Sequence, residues 1–283
     1  MKKTSSPLKK KKRIFGACIM AFLVVFFYAP ILYMIIYSFN DSRSLTKFSG
    51  FSLQWYDKMF NDSTMMESLF YTIVIAILAT VISTFVGTIT AIGLSKSKRF
   101  LKNLVEQINQ LPIMNPEIVT AIGLLMFFSA IHVRKGFMTL LLAHIMFCVP
   151  YVILSIMPKL RSLNPNLMEA AMDLGATPWQ ALTKVVVPQI MPGIISGALI
   201  AFTMSFDDFI ISYFVTGNGV SNISITVYTM SKRVNPSINA LSTLIIVILT
   251  VVLVLMNVIP AMVERSKKKR MAVEEDPETK ITA

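Results

Sequence analysis

Long apolar runs separated by short charged segments dominate the sequence. A helix crosses a bilayer with roughly 20 apolar residues at about 1.5 Å of rise each. Six stretches meet that length: Ile14–Asn40, Ser68–Leu94, Gln107–Ile131, Phe137–Pro158, Ile190–Val215 and Ile238–Met262. Four contain no Asp, Glu, Lys or Arg, whereas the third carries Glu117 and the fifth carries Asp207 and Asp208. The pattern predicts an all-α polytopic membrane protein with six transmembrane helices.

Composition supports a membrane protein and excludes several other classes. The chain is 54% hydrophobic and 15% charged, against about 25% charged in soluble domains. Cys18 and Cys148 lie inside apolar runs, so neither a structural disulfide nor a cysteine metal site is expected. The net charge of +12 comes from basic blocks beside apolar runs, without interleaved aromatic residues. We therefore expect no nucleic-acid partner, no metal and no cofactor.

The distribution of basic residues predicts the orientation. With both termini in the cytoplasm, twenty of the 27 lysines and arginines fall on the cytoplasmic side, which is a clear positive-inside bias. The first apolar run lacks a small-residue cleavage site, so it is expected to remain as an anchor. The predicted organisation is a basic cytoplasmic amino terminus (1–13), a six-span membrane domain (14–262) with a cytoplasmic loop (159–189), and a cytoplasmic tail (263–283).

The loop between the fourth and fifth spans has signals for two short helices. Asn164-Pro165 favours a helix start, and Gly175 favours a stop. Thr177-Pro178 predicts a second helix, which Pro188 is expected to end. The first helix carries apolar side chains where water is expected, namely Met168, Ala171, Met172 and Leu174. Such a surface indicates a soluble partner on the cytoplasmic side.

The same loop carries a recognisable motif. Glu169-Ala170-Ala171 is followed after three residues by Gly175 and after nine more by Val185-Val186-Val187-Pro188. This spacing resembles the EAA motif of binding-protein-dependent ABC importer permeases, with valines where that motif prefers Ile and Leu. The resemblance implies the type I permease fold, with Glu169, Ala170, Ala171, Gly175 and Pro188 in the loop that couples to ATPase subunits.

Over nearly its full length the chain looks like the permease subunits of spermidine/putrescine importers, of the PotC type. The closest stretches are Met114–Val119, His144–Pro150, Met168–Ala176, Phe206–Phe209 and Phe214–Gly217. The resemblance implies a cell-membrane protein that works with an ABC ATPase dimer, a second permease subunit and an extracytoplasmic polyamine-binding protein. The expected docking loops for that binding protein are Asn40–Glu67 and Thr216–Ser237.

The acidic residues inside the spans are the candidates for a substrate path. A carboxylate at the centre of a membrane helix costs at least about 2.5–3.5 kcal/mol, so it needs water, a cation or a basic partner. The six stretches contain no Lys or Arg, and a polyamine would supply the missing cation. The candidate path residues are acids and aromatic side chains that accept ammonium groups: Asp207, Asp208, Glu117, Tyr213, Phe206 and Tyr151.

Other interpretations of these residues stay open from sequence. Aromatic side chains in spans commonly pack or anchor at the interface. Glu117 follows Pro116 and would also stabilise the start of a broken helix. Asp207 and Asp208 would also serve as a structural polar lock, and His144 is expected to be a neutral hydrogen-bonding residue between helices.

The sequence also limits the chemistry of the chain. It contains no phosphate-loop motif of the Gly-x-x-x-x-Gly-Lys-Ser/Thr type, so the chain is predicted to be a transport subunit and not an enzyme, with ATP hydrolysis in a partner. An aspartyl protease needs carboxylates from different helices that share a proton, whereas Asp207 and Asp208 are adjacent. The alternatives are an ABC permease for another small solute and a proton-coupled secondary transporter, which would leave the cytoplasmic loop unexplained.

Overall fold

The computed structural model of the 283-residue chain describes residues 7–44, 46–217, 219–231, 235–251, 254 and 258. Within these ranges the regular secondary structure is helical, and the one β-type pairing is an isolated bridge between Asn40 and Phe51. The chain divides into two compact units, one of residues 1–61 with 233–283 and one of residues 62–232. The predicted tail, 263–283, lies outside the described residues.

The helices of the described residues alternate between long apolar elements and short connecting ones. In chain order they are α1 (Pro7–Ser38), α2 (Gln54–Asn61), α3 (Ser63–Ser95), α4 (Arg99–Met114), α5 (Glu117–Ala130), α6 (Phe137–Ser162), α7 (Leu167–Asp173), α8 (Pro178–Ala181), α9 (Val187–Asp207), α10 (Ile210–Val215), α11 (Ile223–Ser231) and α12 (Ser237–Val251). A π-helical turn, Leu182–Val186, joins α8 to α9.

Four helical stretches are long and apolar enough to cross a membrane: Phe15–Ser38, Ser63–Ser95, Phe137–Ser162 and Pro178–Asp207. They correspond to the predicted first, second, fourth and fifth spans. The second begins at Ser63, five residues before the predicted start, because the Asp62 carboxylate accepts the N–H groups of Thr64 and Met65. The sixth predicted span is covered by α12 up to Val251, and most of its remainder lies outside the described residues.

The third predicted span, Gln107–Ile131, is broken in its middle. Helix α4 ends at Met114 and α5 begins at Glu117, with a bend of 105° between them. Pro116 has no N–H to donate, and its ring disfavours helical geometry at Asn115, whose ψ is 142°. The acidic residue that the sequence placed inside a span therefore stands at the first position of a new helix.

The fifth predicted span, Ile190–Val215, is also interrupted. Helix α9 ends at Asp207, Asp208 adopts an extended ψ of 127°, and α10 starts at Ile210. A break at membrane depth is tolerated where protein groups satisfy the freed backbone atoms. Here the Asp208 carboxylate accepts hydrogen bonds from backbone N–H groups at the start of α10.

Helices α3, α6 and α9 pack together and hold most of the core of the second unit. Glycines permit the close approach, since a Cβ at Gly87 would lie 2.7 Å from Val152 Cγ1, and one at Gly197 would lie 3.2 Å from Val152 Cα. In lipid, apolar burial does not drive helices together, so close van der Waals packing at small residues carries the association. The three helices form the frame that positions both candidate sites.

In the first unit, a polar turn follows α1. The Asn40 amide donates to the carbonyls of Ser44 and Lys47, at 2.9 Å each, and its Oδ1 accepts the Ser49 N–H at 2.8 Å. The indole N–H of Trp55 donates to the Asn40 carbonyl at 2.6 Å. Asn40 is fully buried, so the turn is fixed by one side chain.

Candidate functional site: a two-helix projection and a polar cluster at a helix break

The loop between the fourth and fifth spans forms two short helices, but its first helix starts later than predicted. Helix α7 begins at Leu167 and not at Asn164. The Asn164 Oδ1 accepts the Asn166 N–H at 3.0 Å, and this side-chain turn holds the chain out of the helix. The Ala170 N–H then bonds the Asn166 carbonyl at 2.9 Å.

The corner between α7 and α8 is a glycine turn, as the sequence predicted. Gly175 has a φ of +89°, a region that L side chains rarely adopt. Its N–H bonds the Met172 carbonyl at 2.9 Å, and the Ala176 N–H bonds the Ala171 carbonyl at 3.1 Å. This pair of bonds is a Schellman motif, so the corner is built from backbone geometry that glycine permits.

The second helix starts with a capping box. The Thr177 Oγ1 accepts the Gln180 N–H at 3.3 Å, and the Gln180 side chain accepts the Thr177 N–H at 3.0 Å. Pro188 does not end this helix, contrary to the prediction. The chain passes through the π turn, where the Val187 N–H bonds the Leu182 carbonyl, and Pro188 sits in the first turn of α9, where a missing N–H is tolerated.

The projection, defined here as residues 164–188, exposes its motif residues and two large apolar side chains. Glu169, Ala170 and Gly175 are exposed, and Ala171 is half-buried. Leu174 is 90% exposed and Trp179 is 71% exposed. The sequence analysis did not identify Trp179. Its signal was a large aromatic side chain at the second position of a short helix that was predicted to lie in a polar loop. The surface is suited to contact with another protein.

The second site is a buried polar cluster at the break between α9 and α10. Asp208 caps α10: its Oδ1 accepts the Ile211 N–H at 3.2 Å, and its Oδ2 accepts the Ser212 N–H at 2.7 Å and hydroxyl at 2.6 Å. His144 of α6 hydrogen-bonds the Ser205 hydroxyl through Nδ1 at 2.6 Å and the Ser212 hydroxyl through Nε2 at 3.0 Å. The expected role of His144 as a hydrogen-bonding residue between helices agrees with this geometry.

Asn222 closes the cluster from the connection before α11. Its side-chain amide donates to the Asp208 carbonyl at 2.6 Å, and its Oδ1 accepts the Ile225 N–H at 2.9 Å. The Ile223 N–H bonds the Thr72 hydroxyl of α3 at 2.8 Å. Sequence reasoning missed Asn222, because no local pattern links it to a residue fourteen positions earlier.

Asp207 differs from its neighbour in exposure. It is the last residue of α9 and is exposed, whereas Asp208 is 3% exposed. The Ser224 hydroxyl donates to the Asp207 backbone carbonyl at 3.5 Å. The two adjacent acids therefore have different surroundings, one engaged by protein donors and the other facing outward.

Glu117 and Tyr151 lie together at the bend of the third span. They line a cavity of about 150 Å³ with Asn115, Thr120, Phe147 and Met204. The electrostatic neighbours of the Glu117 carboxylate are Asp208 and Asp207. Three predicted acids thus fall in one region, although they come from two separate breaks.

The remaining predicted aromatic residues do not line that cavity. Phe206 is half-buried and packs against Phe202, with ring centroids 5.7 Å apart. Tyr213 is exposed and packs against Phe209 at 5.5 Å. The structure therefore brings Glu117 and Tyr151 into one cavity and leaves Phe206 and Tyr213 in neighbouring aromatic pairs.

The architecture and the sequence agree with a known family. Residues 83–269 match the binding-protein-dependent transport system inner membrane component family. The chain belongs to this family. Membership makes it a multi-pass membrane component of a transport system and not an enzyme. The matched segment includes the projection, both helix breaks, α6, α9 and the end of α3.

Relatives within the family share most of the chain. The putrescine transport system permease protein PotI of Escherichia coli is 40% identical over 229 residues, which are 78% of this chain and 82% of the relative. The spermidine/putrescine transport system permease protein PotC of Haemophilus influenzae is 36% identical over 235 residues, 83% of this chain and 91% of the relative.

A solved structure shows the same fold. A bacterial ABC transporter involved in the import of the acidic polysaccharide alginate superposes with a TM-score of 0.71 at 15% identity, over 92% of this chain and 99% of that chain. The predicted ABC importer permease fold is therefore confirmed.

Proposed function

We propose that this chain is a transmembrane permease subunit of an ATP-driven ABC importer for polyamines, spermidine or putrescine. The observation that carries the proposal is the likeness at 40% and 36% identity, over more than three quarters of the chain, to permeases named for those substrates. The exposed carboxylate of Asp207 and the nearby carboxylate of Glu117 would attract a cationic substrate. The excess of Lys and Arg in the segments assigned to the cytoplasm supports a cell-membrane protein with both termini on that side.

The projection is the element proposed to couple transport to ATP hydrolysis. Glu169, Ala170 and Ala171 would face a cytoplasmic ABC ATPase dimer, and the exposed Leu174 and Trp179 would add apolar contact area. The π turn continues directly into α9, so a displacement of the projection is transmitted to a membrane-crossing helix without an intervening flexible loop. Gly175 sets the angle of the corner, and Pro188 marks the return to the membrane.

The substrate path is proposed to pass the two helix breaks. Glu117 and Asp207 would bind ammonium groups directly, and the ring of Tyr151 beside Glu117 would offer an aromatic face. Asp208 would contribute its negative charge from behind while it caps α10. Phe206 and Tyr213 would line the path on either side of the break.

Two further partners complete the proposed assembly. A second permease subunit would supply the other half of the path, and an extracytoplasmic binding protein would deliver the polyamine. The name of the family itself specifies dependence on a binding protein. ATP binding would move the projections, and the spans would alternate between inward-open and outward-open states around the shared path.

The experiment that tests this function is ATP-driven uptake into proteoliposomes containing the chain with its companion permease, ATPase and binding protein. We expect uptake of radiolabelled spermidine or putrescine, reduced at least about tenfold by Glu117→Gln with Asp207→Asn, since each lost charge weakens cation binding. Glu274→Gln with Glu275→Gln, which removes two acids from the predicted cytoplasmic tail, is the matched control.

Uptake driven by a proton gradient without the ATPase would contradict the proposal and favour a secondary transporter. ATP-driven uptake of a different solute, with no polyamine uptake, would contradict the substrate assignment alone.

A further inference from the structure

A basic cavity lies where the second and fourth spans end and the projection begins. It has a volume of about 330 Å³, and its lining includes three cationic side chains, Lys96, Lys102 and Arg161, with no acidic one. Lys96 follows the last residue of α3, Lys102 is in α4, and Arg161 is in the last turn of α6. The cavity therefore collects positive charge from the α3–α4 segment and from the end of α6, which is distant from it in sequence.

Two of these cations have no anionic partner in the described part of the chain. Arg161 is paired, since its guanidinium donates to both carboxylate oxygens of Glu106 at 2.8 Å. The Lys96 ammonium approaches the Met168 Sδ at 2.6 Å, and a thioether is a weak acceptor. Lys102 has no ion pair among the described residues. Unpaired charges at the edge of an apolar bundle favour an anion from outside the chain.

The position of Lys102 strengthens this argument. It lies four residues after the cap position of α4, where the helix dipole is positive and disfavours a cation. The first turn of α4 contains no acidic residue, and no side chain caps it. The positive charge of Lys102 is therefore not compensated within the first turn of α4, which favours an anion beside its ammonium group.

Apart from Ser95 and Asn164, the rest of the lining is apolar, which indicates the kind of anion that would bind. The cavity walls include Leu160, Leu163, Leu167 and Val186 beside the cations. Helices α3 and α6 cross the membrane, so their ends lie at the level of lipid headgroups. A ligand with a phosphate group and acyl chains fits both parts of the lining, whereas a free phosphate ion would fit only the basic part.

We propose that this cavity binds the phosphodiester headgroup of an anionic phospholipid and so fixes the base of the projection. Asn164, Pro165 and Met168 line the same cavity, so an occupied site would hold the start of α7 against the ends of α3 and α6. The lipid would thereby act on the element that is proposed to contact the ATPase. The inference concerns lipid binding and is tested without transport, so its failure leaves the proposed substrate untouched.

The test compares two double variants of the purified, assembled complex. Lys96→Gln with Lys102→Gln removes the two cavity cations that have no anionic partner. Lys98→Gln with Arg99→Gln removes the same amount of charge from neighbouring positions that do not line the cavity. Native mass spectrometry after incubation with phosphatidylglycerol or with phosphatidylcholine measures the retained lipid. Inorganic phosphate is added in a parallel arm to distinguish a free ion from a headgroup.

We expect the unsubstituted complex to retain phosphatidylglycerol in preference to phosphatidylcholine. The Lys96/Lys102 variant should bind phosphatidylglycerol at least about tenfold more weakly, and the Lys98/Arg99 variant should bind nearly as well as the unsubstituted complex. An equal loss of lipid binding in both variants would show that general surface charge, and not this cavity, binds the lipid. That result would overturn the proposed site. Displacement of the lipid by millimolar inorganic phosphate would overturn the assignment to a lipid headgroup.

Discussion

The Nε2 atom of His144 lies 3.4 Å from the Oδ2 atom of Asp208, and both side chains are buried. His144 also bonds Ser205 before the break in the fifth span and Ser212 after it. One imidazole on α6 therefore bridges the two halves of an interrupted helix, and Asp208 caps the second half. The break is held open by specific hydrogen bonds, which leaves the neighbouring Asp207 free to face outward.

Asp208→Asn should destabilise the protein, because an amide cannot replace both oxygens of a carboxylate that accepts three hydrogen bonds. We expect a loss of on the order of 1–2 kcal/mol, seen as a lower thermal midpoint of the purified complex. Asp207→Asn is the matched control and should leave the midpoint unchanged, since that carboxylate is exposed. Identical midpoints for both variants would show that the cap does not contribute to stability.

Gly87→Ala should weaken the packing of α3 on α6, because the new Cβ would lie 2.7 Å from Val152 Cγ1. Overpacking of this kind costs roughly 1–3 kcal/mol. Combining Gly87→Ala with Val152→Ala should recover part of the lost stability. Gly93→Ala, on the same helix with open space around it, should be neutral or stabilising.

Unfolding midpoints of the single and double variants measure this coupling. Strict additivity of the Gly87 and Val152 substitutions would contradict the contact.

Gly175→Ala should impair transport by disfavouring the conformation of the corner between α7 and α8. No atom lies within 4 Å of the added Cβ, so the effect is one of backbone conformation at a φ of +89°, worth roughly 1–2 kcal/mol. Gly175→Asn should be milder, since asparagine tolerates this region. Gly123→Ala, a helical glycine also in open space, is the control. ATP-driven uptake should fall in the order Gly, Asn, Ala at position 175. Equal uptake by all three proteins would contradict the claim that transport requires this glycine turn.

Much of the fold was predictable because lipid imposes a simple length and polarity rule. The long helices and the glycine corner at Gly175 followed from apolar runs and turn residues. The break at Asp208 was not predicted, because an apolar run gives the same pattern for a straight helix and for two helices joined at an angle. A broken helix before Glu117 was one of the open interpretations. Pro116 was a visible signal for one break, whereas no proline marks the break at Asp208.

The candidate sites were likewise predictable only in part. The motif residues of the projection, Glu169 and Gly175, were predicted from their resemblance to the EAA motif, and their coupling role stays a prediction. The bounds of both short helices needed the structure. The separation of Asp207 from Asp208 depends on the torsion angles of the break and on contacts with His144 and Asn222. Those contacts join positions 14 and 64 residues from Asp208, beyond the reach of local periodicity.

The central claim is that the exposed projection transmits the work of the ATPase to the spans, and Glu169→Lys tests it most directly. ATP hydrolysis and polyamine uptake are measured side by side in proteoliposomes of the assembled complex, with Glu275→Lys in the predicted tail as a charge-matched control. We predict that Glu169→Lys leaves membrane insertion intact but lowers ATP-driven uptake by at least about tenfold, as expected when a reversed charge disrupts a docking contact. Uptake at the unsubstituted rate, with hydrolysis unchanged, would contradict the coupling role of the projection.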